Sequence, residues 1–287
     1  MKISLIKPNS VNVNAWTECF KNNGIEVLEN KVESDCDFII CASHSQDRRL
    51  AALHHAHPHI PMINYNWDLY GWIWKRQGSY DWKLYGELLD KSAEIWCPSE
   101  EVVLRTEEFF GLGDKCRIIK TYARIFDYNK PIPKGDYIYQ PMRHYRLDKN
   151  FGWLRKACDE LNIPLKESLH KLSEEDFRDF IANCRFMCTE YHEASTGGLT
   201  LIEGYRLGKP VVISNSKYMG ARDYFGNRAI YFDDNSYENF KKVIKDTWEN
   251  TPILDIEDCK KFVDTLPSIE SMVAEMISRL EHLKAQQ

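Results

Sequence analysis

The strongest constraint on this chain is an alternation, sustained from residue 2 onward, of short apolar runs with segments whose apolar residues recur at helical spacing. Residues 2–6 read as a strand, 16–23 as a helix ending at Gly24, 25–28 as a strand and 36–41 as a continuous buried strand. Residues 48–55 then read as a helix, 61–65 as a strand, 82–91 as a helix, 93–98 as a strand and 100–110 as a helix before the apolar run 116–119. Strands without an alternating wet face, each followed by a helix, belong to βαβ units. A parallel neighbour is reached only through a crossover, and the crossover helices cover both faces of the sheet. The first half is therefore predicted to be a Rossmann-like domain.

From Asp127 to Gly135 the text becomes Asp-Tyr-Asn-Lys-Pro-Ile-Pro-Lys-Gly, polar and aperiodic, as an interdomain linker would be. The rhythm then restarts. Strands are expected at 136–140, 185–189, 210–215 and 229–232, and helices at 151–161, 173–183, 199–207 and 236–248, with Ser173 capping one of them and Gly208 stopping another. In a closing helix from Ser268, Ile269, Met272, Val273, Met276, Ile277, Leu280 and Leu283 share one face, which must pack against something. The expected architecture is α/β. It has two Rossmann-like domains, 1–130 and 131–266, with an interdomain cleft and a C-terminal helix, 267–287, crossing back to the first domain.

A chain of 287 residues suits two domains and an ample core. With 38 Lys+Arg against 43 Asp+Glu, the formal charge of −5 argues against a dedicated nucleic-acid binder while permitting a local basic groove. No apolar run approaches the roughly 18 residues of a membrane span, and Met1 leads directly into a strand, so a cytoplasmic location is expected. The nine cysteines are odd in number, form no CxxC and mostly lie in or beside apolar runs, as reduced core thiols do. His54, His55, His57 and His59 end a helical segment before Pro61 and lack a second ligand cluster, so no metal site is assigned.

The chemistry concentrates in residues 189–215: a strand, a loop with Glu193, Gly197 and Gly198, a short helix carrying Glu203, and a second strand. The glycines permit close backbone approach. The N–H groups of Leu199, Thr200 and Leu201 at the helix start would form an anion site that a diphosphate would fit. Glu203, one turn in, is placed to accept hydrogen bonds from vicinal hydroxyls, and Glu193 could do the same for a sugar. The alternative is a plain βαβ turn with two solvated glutamates.

This stretch resembles the donor-binding signature of the GT-B glycosyltransferases of the group 1, or family 4, type, which ends in a Gly-x-Pro-Val-Val strand as Gly208-Lys-Pro-Val-Val212 does here. Further segments are similar in order: Ala93-Glu-Ile-Trp-Cys-Pro-Ser99, Pro141-Met-Arg-His-Tyr-Arg-Leu-Asp-Lys-Asn150, Tyr218-Met-Gly-Ala-Arg-Asp-Tyr-Phe-Gly226 and the closing amphipathic helix. The resemblance is carried by residues 93–285; residues 1–92 share only the topology. It implies a retaining, metal-independent transfer of a sugar from a nucleotide-diphosphate sugar to an acceptor hydroxyl. No cofactor is implied beyond that co-substrate. Arg143 and Lys149 would neutralise the donor diphosphate and the leaving nucleotide, with Arg146 a competitor for either role. Glu203 would bind the ribose, Glu193 the transferred sugar, and the backbone of residues 197–200 the sugar and phosphates.

Two departures from the family stand out. Nine residues lie between Glu193 and Glu203, and strict family spacing would put Ser195 in the first acidic position. Where the family has a histidine after the middle strand of the first domain, this chain has Asn64-Tyr-Asn-Trp-Asp68. That makes Asp68 a candidate for touching the transferred sugar or the acceptor, against a role as a cap. On the acceptor side, Trp67, Trp72, Trp74 and Trp82 are interleaved with Tyr65, Tyr70, Tyr80, Tyr85, Lys75 and Arg76, a composition that suits either a stacking platform or core packing. The acceptor could be a glycan, a lipid-linked saccharide, a small molecule or a hydroxylated DNA base. A non-catalytic nucleotide-sugar-binding module is the rival from another class.

Overall fold

The computed structural model describes residues 1–6, 11–42, 48–66, 82–122, 126, 128–141, 152–167, 172–190, 198–216, 219–233 and 235–287. The chain divides into two compact units, one of Met1–Tyr122 with Pro267–Gln287 and the other of Ala123–Leu266.

The first unit runs β1 (Lys2–Ile6), α1 (Val11–Asn22), β2 (Glu26–Glu29), β3 (Phe38–Cys41), α2 (Arg48–Ala56), β4 (Met62–Tyr65), α3 (Trp82–Lys91), β5 (Glu94–Cys97), α4 (Glu100–Phe110) and β6 (Cys116–Ile118). Its strands pair in the order β2-β1-β3-β4-β5-β6, all parallel. Every residue of β3, β4 and β5 is buried, as central strands covered on both faces must be. The first helix begins at Val11, earlier than its periodicity suggests.

The second unit runs β7 (Ile138–Gln140), α5 (Trp153–Leu161), β8 (Leu165–Glu167), α6 (Glu174–Ala182), β9 (Phe186–Cys188), α7 (Leu199–Arg206), β10 (Val211–Ser214), α8 (Arg222–Phe225), β11 (Ile230–Phe232), α9 (Tyr237–Glu249) and α10 (Ile256–Asp264). Its parallel sheet has the order β11-β10-β9-β7-β8. Ser173 caps α6 as expected, its Oγ accepting the Asp176 N–H at 3.1 Å. Three elements have no counterpart in the sequence-based expectation, the first being the four-residue α8. β8 is a three-residue edge strand with a single apolar residue, too short to show a period. α10 is capped by Asp255 and packs on α7 through Cys259 and Val263.

The polar stretch expected to be a bare linker is strapped to the second unit. Tyr128 Oη donates to Asp179 at 3.0 Å, Lys130 Nζ pairs with the same carboxylate at 2.9 Å, and the buried Lys209 Nζ donates to the Pro133 carbonyl at 2.7 Å. Tyr128 and Ile132 pack against the core beneath.

The closing helix α11 (Ile269–Ala285) starts at a Ser268 cap and belongs to the first unit. Met272, Val273, Met276 and Leu280 are buried with Trp16, Phe20, Ile3 and Leu5, and Ile269, Ile277 and Leu283 flank them: the face anticipated from the sequence. At about 1.5–3 kcal/mol per fully buried side chain, this face dominates the docking. Register comes from Arg279, whose guanidinium grips the buried Glu94 carboxylate with Nε at 2.8 and 2.9 Å, while Trp96 Nε1 donates to the same group at 3.0 Å. All nine cysteines are buried and free. Among the described residues no helix is long and apolar enough to cross a membrane.

Arg279→Ala removes the main partner of a buried carboxylate and is expected to destabilise the chain by about 1–3 kcal/mol. Urea unfolding of the full chain would measure this, and a loss below about 0.5 kcal/mol would mean that Glu94 finds enough compensation from Trp96 and Arg117.

Candidate functional site

In the second unit the chain leaves β7 outward to β8 and then returns across it to β9. The crossovers after β7 and β9 therefore depart in opposite directions, and open α/β sheets bind ligands outside the carboxyl ends at such a switch point. Gln140 ends β7, Thr189 and Glu190 follow β9, and α5 and α7 are the helices that come next in the chain. Gln140, Thr189 and Glu190 are all fully buried.

Glu190 has a defined task there. The residue before α5 is Gly152, held at φ 70°, and it has no side chain with which to cap the helix. Glu190 supplies the cap from 37 residues away, its Oε2 accepting the N–H of Trp153 at 2.7 Å and that of Leu154 at 3.2 Å. Gln140 Nε2 donates to the other oxygen at 3.3 Å, while Gln140 Oε1 and Thr189 Oγ1 find no partner. Burial pushes the Glu190 carboxyl above its ordinary range. The bonds from Gln140, Leu154 and Trp153 oppose the shift, and the charge of Glu167 on β8 adds to it. The Glu190 charge in turn helps raise the Cys158 thiol on α5 and the Cys188 thiol on β9, behind burial in each case.

Of the expected donor-binding residues, Gly198, Leu199, Thr200 and Glu203 fall together at the start of α7. Gly198 is its N-cap, at φ 57°, and a Cβ there would lie 2.8 Å from Leu201 Cδ1, so the turn needs glycine on both counts. One expectation is corrected. The N–H of Leu201 donates to the Gly198 carbonyl at 2.7 Å, which leaves the N–H groups of Leu199 and Thr200 as the ones available to an anion. Glu203 is 4% exposed. α7 lies so close to β9 that a Cβ on Gly204 would meet Met187 Sδ at 1.9 Å, a contact that fixes the helix against the strand. Arg143, Arg146, Lys149, Glu193, Ser195, Gly197, Asp68, Trp67, Trp72, Trp74 and Lys75 lie outside the described residues.

In the first unit Asn66, at the carboxyl end of β4, is held from three sides. Its N–H donates to the Trp96 carbonyl at 2.8 Å, its Oδ1 accepts from Tyr85 Oη at 2.8 Å, and its Nδ2 reaches Thr106 at 3.4 Å. Two aromatics counted toward the acceptor stretch are core residues instead. Tyr65 is fully buried, stacked edge-on against Trp16 and donating to the Ile119 carbonyl, and Tyr85 is buried against Asn66 and Phe110. His54 is pushed down by burial, with Lys91 and His55 adding to the shift. Among the described residues no group of three or more His, Cys, Asp or Glu could hold a metal ion.

Sequence reasoning passed over Glu190 and Gln140. The available signal was a helix preceded by a glycine, and so in need of an acceptor from elsewhere, together with an acidic residue directly after an apolar strand.

Several solved structures match nearly the whole chain, three of them as follows. HepE from Anabaena, in complex with UDP and glucose, matches with a TM-score of 0.69 over 98% of this chain and 100% of its own, at 12% identity. Sucrose-phosphate synthase from Thermosynechococcus elongatus matches with a TM-score of 0.72 over 100% of both chains at 11% identity. The apo lipopolysaccharide outer core galactosyltransferase WaaB matches with a TM-score of 0.69 over 99% of this chain and 100% of its own at 10% identity. The chain has the GT-B fold. At such identities the GT-B likeness concerns architecture, and the chemistry must be argued from residues. No family model matches the sequence, and no curated protein sequence does.

The raised Glu190 carboxyl gives a signed expectation. The folded chain holds this proton at a pH where the unfolded chain has released it, so its contribution to stability is present in acid and is lost as pH rises through the folded-state pKa. The stability of the native chain relative to E190Q should therefore fall on going from pH 4 toward neutrality and then level off. A difference that grows with pH in denaturant titrations would refute the direction of the shift.

Proposed function

We propose that this protein is a glycosyltransferase that moves a sugar from a nucleotide-diphosphate donor to an acceptor hydroxyl, with retention at the anomeric carbon and without a metal ion. The observation that carries the proposal is the start of α7 at the carboxyl edge of a GT-B second unit. There a positive-φ glycine, two available N–H groups and the Glu203 carboxylate fall within one turn. A helix start favours a diphosphate, and a carboxylate in nearly dry surroundings is a strong acceptor for vicinal ribose hydroxyls. HepE, whose structure was also determined with UDP-glucose, makes that compound the first donor to test.

In the proposed reaction the bond between the anomeric carbon and the diphosphate oxygen breaks, and the acceptor oxygen bonds to that carbon on the same face. The acceptor proton passes to the departing phosphate. Such a route needs charge stabilisation and positioning more than a strong protein base. Arg143 and Lys149, with the α7 N-terminus, would take up the charge developing on the leaving nucleotide, as a divalent ion does in other transferases. Glu193 is proposed for the transferred sugar, and Asp68 with Trp67, Trp72, Trp74 and Lys75 for the acceptor side. The acceptor is a hydroxyl compound of the glycan, lipid-linked or small-molecule kind, for which a formal charge of −5 is no obstacle.

Release of UDP from UDP-glucose in the presence of EDTA tests the proposal directly. Nucleotide binding without turnover, across a panel of donors and acceptors, would leave only a binding module. Lys149→Ala is expected to lower kcat by about 10²- to 10³-fold, on the scale of losing one charge-stabilising donor, with an unchanged melting temperature. An undiminished kcat would remove Lys149 from the diphosphate site. Glu203→Ala should raise the donor KM about tenfold, the equivalent of roughly 1.4 kcal/mol, and an unaltered donor KM would exclude the ribose contact.

A further inference from the structure

We propose that the open edge of β6 and the groove between it and α11 form a docking surface for an extended, acidic segment of a partner protein, which adds to the first sheet as a further strand. The surface lies within the first unit and owes nothing to the transfer reaction.

β6 ends the sheet order β2-β1-β3-β4-β5-β6, and among the described residues no strand pairs with its outer side. The inner side is served by alternate residues: the Ile119 N–H donates to the Cys97 carbonyl at 2.8 Å, and Arg117 stands opposite Trp96 in the same ladder. A strand turns the backbone groups of successive residues to opposite edges, so Cys116 and Ile118 turn theirs outward. The two outward residues differ. The Cys116 carbonyl accepts from Arg117 Nη1 at 2.7 Å, whereas no described backbone group meets the N–H or C=O of Ile118. A short strand with a guanidinium folded over one carbonyl is a blunted edge, but the blunting leaves Ile118 open. The Ile118 side chain is itself 37% exposed and offers apolar surface for an added strand to cover. Unpaired edge groups beside such a side chain are a template for strand addition.

Recognition in this mode also needs a wall that reads the side chains of the added strand. Here α11 supplies it. A groove of about 360 Å³ runs between the two elements, lined by Arg117, Ile118 and Ile119 on one side and by Glu275, Arg279 and His282 on the other. Its charge favours an acidic occupant. Arg117 Nε lies 3.5 Å from the Glu94 carboxylate that Arg279 already grips, so two guanidiniums face one buried carboxylate and an excess of positive charge stays at the groove. Burial pushes the Glu275 carboxyl up and the nearby Lys120 charge opposes the shift, which places a further cation beside the helix wall. Charge also decides against a second copy as the occupant. From Lys115 to Lys120 the chain has three cations, Lys115, Arg117 and Lys120, and no acid. Two such edges would set like charges opposite one another, which destabilises pairing, whereas glutamates on an added strand would face them favourably.

The test uses the full chain and a fluorescently labelled peptide of about six residues, the usual strand length, amidated and alternating valine with glutamate. Fluorescence anisotropy should show saturable binding, and the counterpart with lysine in place of glutamate should bind about tenfold more weakly or not at all. Ile118→Pro removes the outward N–H and leaves the inward ladder of Arg117 and Ile119 in place, a setting in which a strand tolerates proline. It should weaken the glutamate peptide about tenfold relative to Ile118→Ala, which loses the side chain and keeps the N–H. Glu275→Gln removes a like charge from the wall and should tighten binding. If I118P does not fold, peptides N-methylated at one or the other set of alternate residues take its place, and one of the two sets should abolish binding to the native chain. No binding of the glutamate peptide, equal binding of its lysine counterpart, equal affinity in I118P and I118A, weaker binding in E275Q, or indifference to both methylations would each overturn the proposal. So would a native chain that sediments as a dimer and is dissociated by I118P, which would put a second copy in the partner's place.

Discussion

Parallel strand pairing is the constraint from which the rest of this structure follows. Every strand pair registered among the described residues is parallel, so each strand must be followed by a crossover that carries the chain across a face of its sheet. The faces are thereby buried, and the segments leaving the strands gather at the carboxyl edge. Polar residues at the strand ends, such as Asn66, Gln140, Thr189 and Glu190, end up enclosed without being far from the ligand side of the sheet. In that position a side chain must find its partners inside the protein, and the partners it finds determine which backbone segments are held and where.

That setting gives the acidic residues of the 190–203 stretch different fates. Glu190 is consumed by backbone amides and by Gln140, and burial biases it toward its neutral form. Glu203 sits almost as deeply, one turn into a helix whose first amides are free for an anion.

Much of the architecture was legible because the sequence repeats its signals. β3 reads as an unbroken apolar run and β4 and β5 as short runs each with one polar residue, Asn64 and Glu94; Ser173 and Ser268 announce their helices, and the apolar stripe of α11 is complete enough to show that it must dock. β8 was missed because three residues on a sheet edge carry no period. α10 was missed because a nine-residue helix with a narrow buried stripe is hard to tell from a polar loop. The glycine turn at Gly198 and the short helix carrying Glu203 were legible from local pattern. Glu190 was not, since a cap delivered across 37 residues has no local pattern to find. Tyr65 and Tyr85 were grouped with their aromatic neighbours by composition alone, and only tertiary contacts reveal that their hydroxyls are committed to Ile119 and Asn66.

The placement of α11 has a consequence for how the protein is made. The first unit is built from two separated segments, Met1–Tyr122 and Pro267–Gln287, with the entire second unit synthesised between them. On a ribosome the apolar surface around Trp16 and Phe20 must wait for Met272, Val273, Met276 and Leu280 until the whole second unit has been made, long after its own strands are available to pair. The second unit, contiguous in sequence, can complete itself during that interval. The nascent chain thus carries an uncovered apolar face while the second unit is made, and the docking of α11 is the event that ends its exposure to aggregation and to chaperones.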